Sequence, residues 1–292
     1  MQRESADSAP ADRKREFLFS DQDFERVRRL IYDHAGISLA PIKRDMVYSR
    51  LARRLRALGL DKFSDYLNYL ETSDEQEWEL FVNSLTTNLT SFFREAHHFE
   101  ILTKHLSGLK HRPIRIWCSA ASTGEEPYTL AITACEAFGN MSPPVEIVAT
   151  DIDTNVLAKA QRGVYPEDRV EKMSSDRLRS YFLKGAGKQA GFVKVRPELQ
   201  RLISFRQLNL LDPRYSLDGP FDVMFCRNVM IYFDKPTQYE ILRKFVSLLK
   251  PEGLLFAGHS ESFLHAADLF RSLGRTVYAR SDGPHLSGRI HS

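Results

Sequence analysis

The chain of 292 residues carries 41 Lys and Arg against 38 Asp and Glu, a net charge of +3, with 42% hydrophobic and 27% charged residues. That composition buries a sizeable core with room for one large and one small domain, and it excludes nucleic-acid binding by bulk charge: any basic patch has to be local. The cysteines Cys118, Cys135 and Cys226 lie in apolar patterns without metal-ligand spacing, so they are expected to be reduced core residues of a cytosolic protein. The polar N-terminus is no signal peptide, and no apolar run approaches the roughly 18 residues of a membrane helix, which predicts a soluble, intracellular protein.

Residues 1–19 are polar and charged and are expected to form a disordered tail. Ser20 with Asp23 reads as a helix cap, opening a small all-α domain over 20–91 with Gly36 and Gly59 as helix stops. Its apolar positions recur with helical spacing: Phe24, Val27, Leu30 and Ile31; then Met46, Leu51, Leu55 and Leu58; then Phe63, Tyr66, Leu67 and Leu70. The helix at 43–60 is basic, and Arg50, Arg53 and Arg54 share one face by their three- and four-residue spacing, with Arg56 nearby. Such a face is either simply solvated or a docking surface for an acidic partner; its concentration in a nearly neutral chain favours docking.

A connector, NLTSFFREAHHF, leads into a larger domain over 92–281. If Phe92 and Phe93 anchor it, Asn88, Thr90 and Arg94 reach over a crevice; alternatively, Thr90 merely caps a helix through Phe99 and Leu102. The adjacent His97 and His98 point about 100° apart on a helix and have no evident third ligand, so no metal site is expected. The stretch IRIWCSAASTGEEPYTLAI (114–132) reads as buried strand, small-residue turn and helix, with Pro127 in the first turn. In an open α/β sheet such a unit makes a ligand crevice at the carboxyl edge.

Val145, Ile147 and Val148 form the next strand, delivering Asp151 to its carboxyl end, where a nucleoside ribose is bound in such sheets. Asp151 or Asp153 could instead cap the helix that follows. Over 164–202 the α/β rhythm breaks into an inserted β-subdomain. A helix at 174–181 precedes a hairpin with Gly185, Gly187 and Gly191 in its loop, which either shields the sheet or offers an edge strand to an extended peptide. Strands resume at 203–208, 221–226, 254–258 and 276–279, and polar residues recur just past strand ends: Asp151, Asn209, Arg227 with Asn228, and His259. Residues 282–292 read as a flexible tail.

Six ordered motifs (PIKRDM, LTTNLTSFFREAHHF, AASTGEEPY, ATDID, FCRNVMIYFDK and LLFAGHSESF) run through the chain between about Ser20 and Arg280. Through them the sequence resembles the CheR chemoreceptor glutamate methyltransferases. The resemblance implies an α/β, Rossmann-like S-adenosylmethionine-dependent methyltransferase sheet with an N-terminal all-α domain and an inserted β-subdomain. It implies donor contacts at Asn88, Thr90, Arg94, Glu125, Asp151, Asn209, Leu210, Arg227 and Asn228, with Asp151 on the ribose, Asn209 and Leu210 near the adenine, and Arg94 with Tyr232 close to the methyl group. It further implies receptor docking through Arg50, Arg53, Arg54 and Arg56, by a monomer, and in some members a tether to the receptor's C-terminal peptide. The tether positions here are Lys184, Gly185, Gly187, Gly191 and Lys194; lysine keeps the charge but loses arginine's bidentate fork.

A glutamate acceptor of pKa about 4.3 is already ionised at pH 7, so such an enzyme needs no general base. The rival readings are a dinucleotide oxidoreductase, which lacks its G-x-G-x-x-G turn here, a nucleic-acid methyltransferase using the basic helix, and a non-catalytic module that keeps only the donor pocket.

Overall fold

The computed structural model describes residues 15–110 and 113–284. They divide into two compact units, one formed by residues up to Leu30 with Leu39–Leu85, the other by Ile31–Ser38 with everything from Thr86 onward.

The first unit is helical: α1 (Asp21–Ala35), whose last turn belongs to the second unit, then α2 (Arg44–Leu58), α3 (Phe63–Thr72) and α4 (Glu75–Leu85). Ser20 and Asp23 do cap α1: the Asp23 N–H donates to the Ser20 hydroxyl at 3.0 Å, and the Asp23 carboxylate accepts the Ser20 N–H at 2.9 Å. Residues 15–19, expected in the disordered tail, instead pack. Phe17 and Phe19 are buried, with the Phe19 ring centroid 4.4 Å from that of Phe63, because two aromatic rings bury enough apolar surface to order a short charged segment. The rest of the expected tail, 1–14, and most of the C-terminal one, 285–292, lie outside the described residues.

The basic face of α2 is largely spent inside this unit. Arg54 forms a fork on Glu77, at 3.1 and 2.5 Å, and the Glu77 side chain is only 6% exposed. The Tyr66 hydroxyl, also buried, donates to the same carboxylate at 3.0 Å. Arg50 donates to the Leu85 carbonyl at the end of α4, and Arg56 pairs with Glu16. Arg53 is exposed and makes no ion pair among the described residues. Arg54→Ala is therefore expected to destabilise the helical unit by about 3 kcal/mol, since it strands a buried carboxylate. Arg53→Glu is expected to shift it by less than 0.5 kcal/mol. Urea titration of each variant checks the contrast.

The second unit adds α5 (His97–Gly108), then β1 (Ile114–Cys118), α6 (Glu125–Phe138), β2 (Val145–Asp151) and α7 (Thr154–Arg162). A small antiparallel sheet of β3 (Val164–Pro166), β4 (Phe182–Lys184) and β5 (Phe192–Val195), with β5 central, carries α8 (Ser175–Tyr181), and α9 (Pro197–Gln200) leads back to the main sheet. The chain ends through β6 (Ile203–Gln207), β7 (Phe221–Cys226), α10 (Lys235–Leu248), β8 (Leu249–Ala257), β9 (Phe270–Gly274) and β10 (Val277–Arg280).

The main sheet has the order β6-β2-β1-β7-β8-β10-β9; the first five strands are parallel, and β10 runs antiparallel to β8 and to β9. It is buried on both faces. Ile114, Ile116, Cys118, Val223 and Phe225 face α5 and α6, while Trp117, Met224 and Cys226 face α10. Near-continuous apolar strands such as FDVMFC follow from this double coverage. Strand order reverses at β1, flanked by β2 and β7, so its carboxyl end opens the crevice of a doubly wound sheet. All three cysteines are buried free thiols, and burial raises the pKa of each, that of Cys135 to about 11, so none is a thiolate nucleophile.

Candidate active site

The turn after β1 is built by backbone. Its Ala121 N–H donates to the Thr150 carbonyl at 2.8 Å, and Ser122, at φ 48°, donates its N–H to the Asp151 carboxylate at 2.8 Å. Gly124 has φ 98°, and a Cβ there would lie 2.7 Å from the Tyr165 hydroxyl oxygen and 2.8 Å from the Ala160 Cβ, so only glycine fits. Asp151 closes β2 in a buried position and also accepts the Asp153 N–H at 3.0 Å. Burial pushes its pKa up to about 6; the backbone N–H groups of Asp153, Ser122 and Ile152 oppose this only in part, and no cation stands beside it among the described residues. The helix-cap alternative resolves in favour of Asp153, whose Oδ1 accepts the Asn155 and Val156 N–H groups at the start of α7.

Glu125, the first residue of α6, has a side chain only 1% exposed. Its Oε2 accepts the Thr123 hydroxyl at 2.6 Å, and its Oε1 is paired with Arg169. The helix N-terminus favours this negative charge.

The connector from Thr86 to Glu95 is pinned across this edge at several points. Asn88 Nδ2 donates to Asp153 at 2.9 Å, and the Asn88 carbonyl accepts the Ser122 hydroxyl at 3.3 Å. The Thr90 carbonyl accepts Arg169 at 2.8 Å. Thr90 is not the helix cap, because α5 starts only at His97 with Ala96 in the cap position. Phe92 packs on Tyr165 and Phe182, and Phe93 on Phe99, which anchors the segment. Between them and α5, Arg94 is flanked by two residues in the left-handed region, Phe93 (φ 52°) and Glu95 (φ 58°). Such backbone persists only where surrounding contacts over-determine it.

Those contacts come from the far strands. Arg227, whose side chain is 1% exposed, turns its guanidinium inward onto Glu126 at 2.9 Å, onto Glu95 at 3.4 Å and onto the Arg94 carbonyl at 2.5 Å. Its side chain thus holds the Arg94 backbone. Glu261, also buried, accepts the N–H groups of Asn228, Val229 and Met230 at 2.9, 3.0 and 2.8 Å, fixing the loop after β7 with Asn228 at φ 59°. Tyr232 lies half-buried on this loop with its hydroxyl 3.4 Å from the Thr87 carbonyl, and it is the neighbouring Phe233 that enters the core. Asn209 is occupied by protein: Nδ2 donates to the His34 carbonyl at 3.0 Å, and Oδ1 accepts the Leu211 N–H at 3.0 Å. The Leu210 N–H, in a buried residue, has no acceptor among the described residues. Arg169 and Glu261 escaped the sequence reading. Their only signals were an arginine in an irregular insert and a glutamate shortly after a strand, neither of which carries periodicity.

Among the described residues no group of three or more His, Cys, Asp and Glu side chains could hold a metal. His98 is buried with Nε2 2.9 Å from the Arg275 carbonyl, and burial lowers its pKa to about 4, so it is a neutral core residue.

The model of the CheR methyltransferase SAM binding domain matches residues 88–279, and that of the CheR all-alpha domain matches residues 22–86. The chain belongs to the CheR methyltransferase family. It is 53% identical over 275 residues to chemotaxis protein methyltransferase 2 of Pseudomonas aeruginosa, covering 93% of this chain and 97% of that one. It is 54% identical over 263 residues to the chemotaxis protein methyltransferase of Salmonella typhimurium (90% and 91% covered) and 53% identical over 263 residues to that of Escherichia coli (90% and 92%).

The donor of a CheR methyltransferase is S-adenosylmethionine, and the edge fits it. Asp151 is a desolvated carboxylate facing no cation, suited to neutral ribose hydroxyls. The Leu210 amide, which has no protein acceptor among the described residues, suits a ring nitrogen of adenine, and Glu125 at the turn suits an ammonium. No glycine-lined cradle for a pyrophosphate accompanies them. No helix among the described residues is long and apolar enough to cross a membrane.

Proposed function

We propose that the protein is a protein-glutamate O-methyltransferase that esterifies glutamates on the cytoplasmic helical region of chemoreceptors, serving adaptation in bacterial chemotaxis from the cytoplasm. The similarity to named chemotaxis methyltransferases across nine-tenths of the chain supports the receptor as substrate. The reading of the reaction type rests on Arg94, whose backbone lies between two left-handed residues of the connector and is held by Arg227. A carboxylate acceptor arrives ionised, so the protein has to orient it and resist its protonation as water is excluded; a guanidinium does both.

S-adenosylmethionine supplies an electrophilic methyl on a sulfonium. Asp151, Leu210 and Glu125 hold its nucleoside and amino-acid ends, and Asn88, Thr90, Asn209, Arg227 and Asn228 shape the walls through the contacts described above. Tyr232 offers a ring face to the cationic centre. Arg94 keeps one N–H on the Leu89 carbonyl at 2.9 Å, which leaves its other donors for the acceptor. Alignment of this kind contributes several kcal/mol to a displacement.

Receptor docking through α2 rests on Arg53, with Arg50, Arg54 and Arg56 holding the helix in place. The tether rests on the small sheet, where Val164, Lys194 and Leu183 lie side by side on an exposed face and Lys184 borders a cleft of about 660 Å³. Gly185 admits no side chain, because a Cβ would lie 2.0 Å from the Gln189 carbonyl oxygen. The cleft also presents Glu167, Asp168 and Glu171 against Arg179, so an acidic peptide would meet carboxylates beside the two cations.

The test is incubation of the protein with methyl-labelled S-adenosylmethionine and receptor-containing membranes. Base-labile label on a receptor band is expected, and label that survives base, or that appears on nucleic acid, would overturn the reading.

A further inference from the structure

We infer that the inserted subdomain forms one wall of the donor pocket and that Arg169 is its positioning residue for the amino-acid end of the donor. The proposal rests on the assignment of Glu125 to that end.

Three separate contacts join the subdomain to the edge. Tyr165, in β3, donates its hydroxyl to the Thr123 carbonyl at 2.7 Å and so holds the small-residue turn one residue before Gly124. Phe92 of the connector is clasped between Tyr165 and Phe182, at centroid distances of 5.1 and 5.6 Å. Arg169, in the single turn of 3-10 helix after β3, bonds both Glu125 Oε1 and the Thr90 carbonyl. One guanidinium therefore ties the first residue of α6 to the connector that carries Arg94.

The electrostatics make the contact consequential. Glu125 is almost completely buried, and a carboxylate out of water needs a compensating cation. Among the described residues its second oxygen receives a neutral hydroxyl alone, from Thr123. Arg169, 38% exposed, compensates the charge from the solvent side, and the carboxylate keeps lone pairs for an incoming ammonium. Without Arg169, Glu125 would lose its ion pair and the Thr90 carbonyl its donor, so the ammonium would meet an acceptor free to turn. The residues assigned to the nucleoside end, Asp151 and Leu210, bond neither group among the described residues.

Calorimetric titration of the full-length protein with two ligands tests this. S-adenosylhomocysteine has the amino-acid end; 5′-methylthioadenosine shares the nucleoside and lacks it. For Arg169→Ala the expected result is a loss of at least tenfold in affinity for S-adenosylhomocysteine, with methylthioadenosine changed by less than twofold. Arg169→Lys is expected to recover part of the loss, because an ammonium restores the charge but on a shorter side chain without the planar guanidinium geometry. Equal weakening toward both ligands would mean general damage and would overturn the proposal, as would no change toward either. Glu125→Gln separates the two levels of inference. If it loses S-adenosylhomocysteine while Arg169→Ala does not, the donor assignment stands and the role of Arg169 falls. If neither variant loses it, the assignment of Glu125 falls as well.

Discussion

Methyl transfer by Arg94→Ala is expected to fall by about a hundredfold to a thousandfold in kcat, while affinity for S-adenosylhomocysteine changes by less than tenfold. On the proposed role of Arg94, the size follows from removing one charged donor to the acceptor carboxylate, typically about 3–4 kcal/mol of barrier. The surrounding structure argues that the loss is local. Among the described residues Arg94 lends one side-chain bond to the protein, to the Leu89 carbonyl, and its backbone is held independently by Arg227. Arg94→Lys should regain part of the rate, because charge is restored without the planar fork. Single-turnover measurement on receptor, with thermal unfolding as control, checks this. Wild-type turnover in the alanine variant would show that the acceptor is oriented by something else.

The second large effect concerns Asp151. Its pKa is raised to about 6 in the folded protein against an ordinary value of 3.8, so folding favours the protonated form. The associated stability is fully present below the unfolded value and is lost as pH rises through about 6. At neutral pH the unliganded protein therefore carries a buried, uncompensated charge costing about 3 kcal/mol, since one pKa unit is worth about 1.4 kcal/mol. On the proposed assignment, ribose hydroxyls donating to the ionised carboxylate would relieve that cost.

Two results are expected. Affinity for S-adenosylhomocysteine should fall about tenfold per pH unit below about 6, and Asp151→Asn should lose roughly a hundredfold at pH 8 with a flat pH profile. The stability of Asp151→Asn relative to wild type should improve between about pH 4 and 6 and level off above that. A constant penalty is superimposed, because an amide NH2 would oppose the Ser122 or Asp153 N–H. A pH-independent affinity in the wild type would remove Asp151 from the donor site.

What could be read from the sequence was whatever repeats or alternates. The strand at Phe221–Cys226, the strand–turn–helix around Gly124, the Ser20 cap and the glycine hairpin all declare themselves within a few residues, and the structure has each of them. The short strand β3 and the edge strand β9 went unread, because three polar-flanked residues and a half-exposed edge give no period. At the site, proximity to a strand end identified Asp151 and Asn228 as placed on the edge, but it could not say which way a long side chain turns. Arg227 and Asn209 were read as donor contacts, yet Arg227 faces Glu126 and Glu95 while Asn209 is satisfied by His34 and Leu211. In each case the decisive partner is at least about 100 residues away in the chain or arises from an unforeseen fold-back. The basic helix shows the same limit from the other side. Spacing put Arg50, Arg53 and Arg54 on one face, but only a three-dimensional neighbour, the buried Glu77, separates a structural arginine from an exposed one.

The short stretch Ile31–Ser38 changes how this enzyme can be taken apart. Tyr32 bonds Asp234 at the start of α10, the His34 carbonyl receives Asn209, Gly36 fits where a Cβ would lie 2.9 Å from Leu211, and the Ser38 N–H reaches the Tyr232 carbonyl at 2.9 Å. The catalytic body is therefore discontinuous along the chain, with a strip of eight residues borrowed from the far side of the helical segment. A fragment begun at residue 88, where the family boundary falls, would shed that strip and expose the loops bearing Asn209 and Tyr232. Swapping residues 1–87 between relatives would likewise exchange that strip, so chimaeras meant to change receptor choice would also disturb the packing around Asn209 and Tyr232.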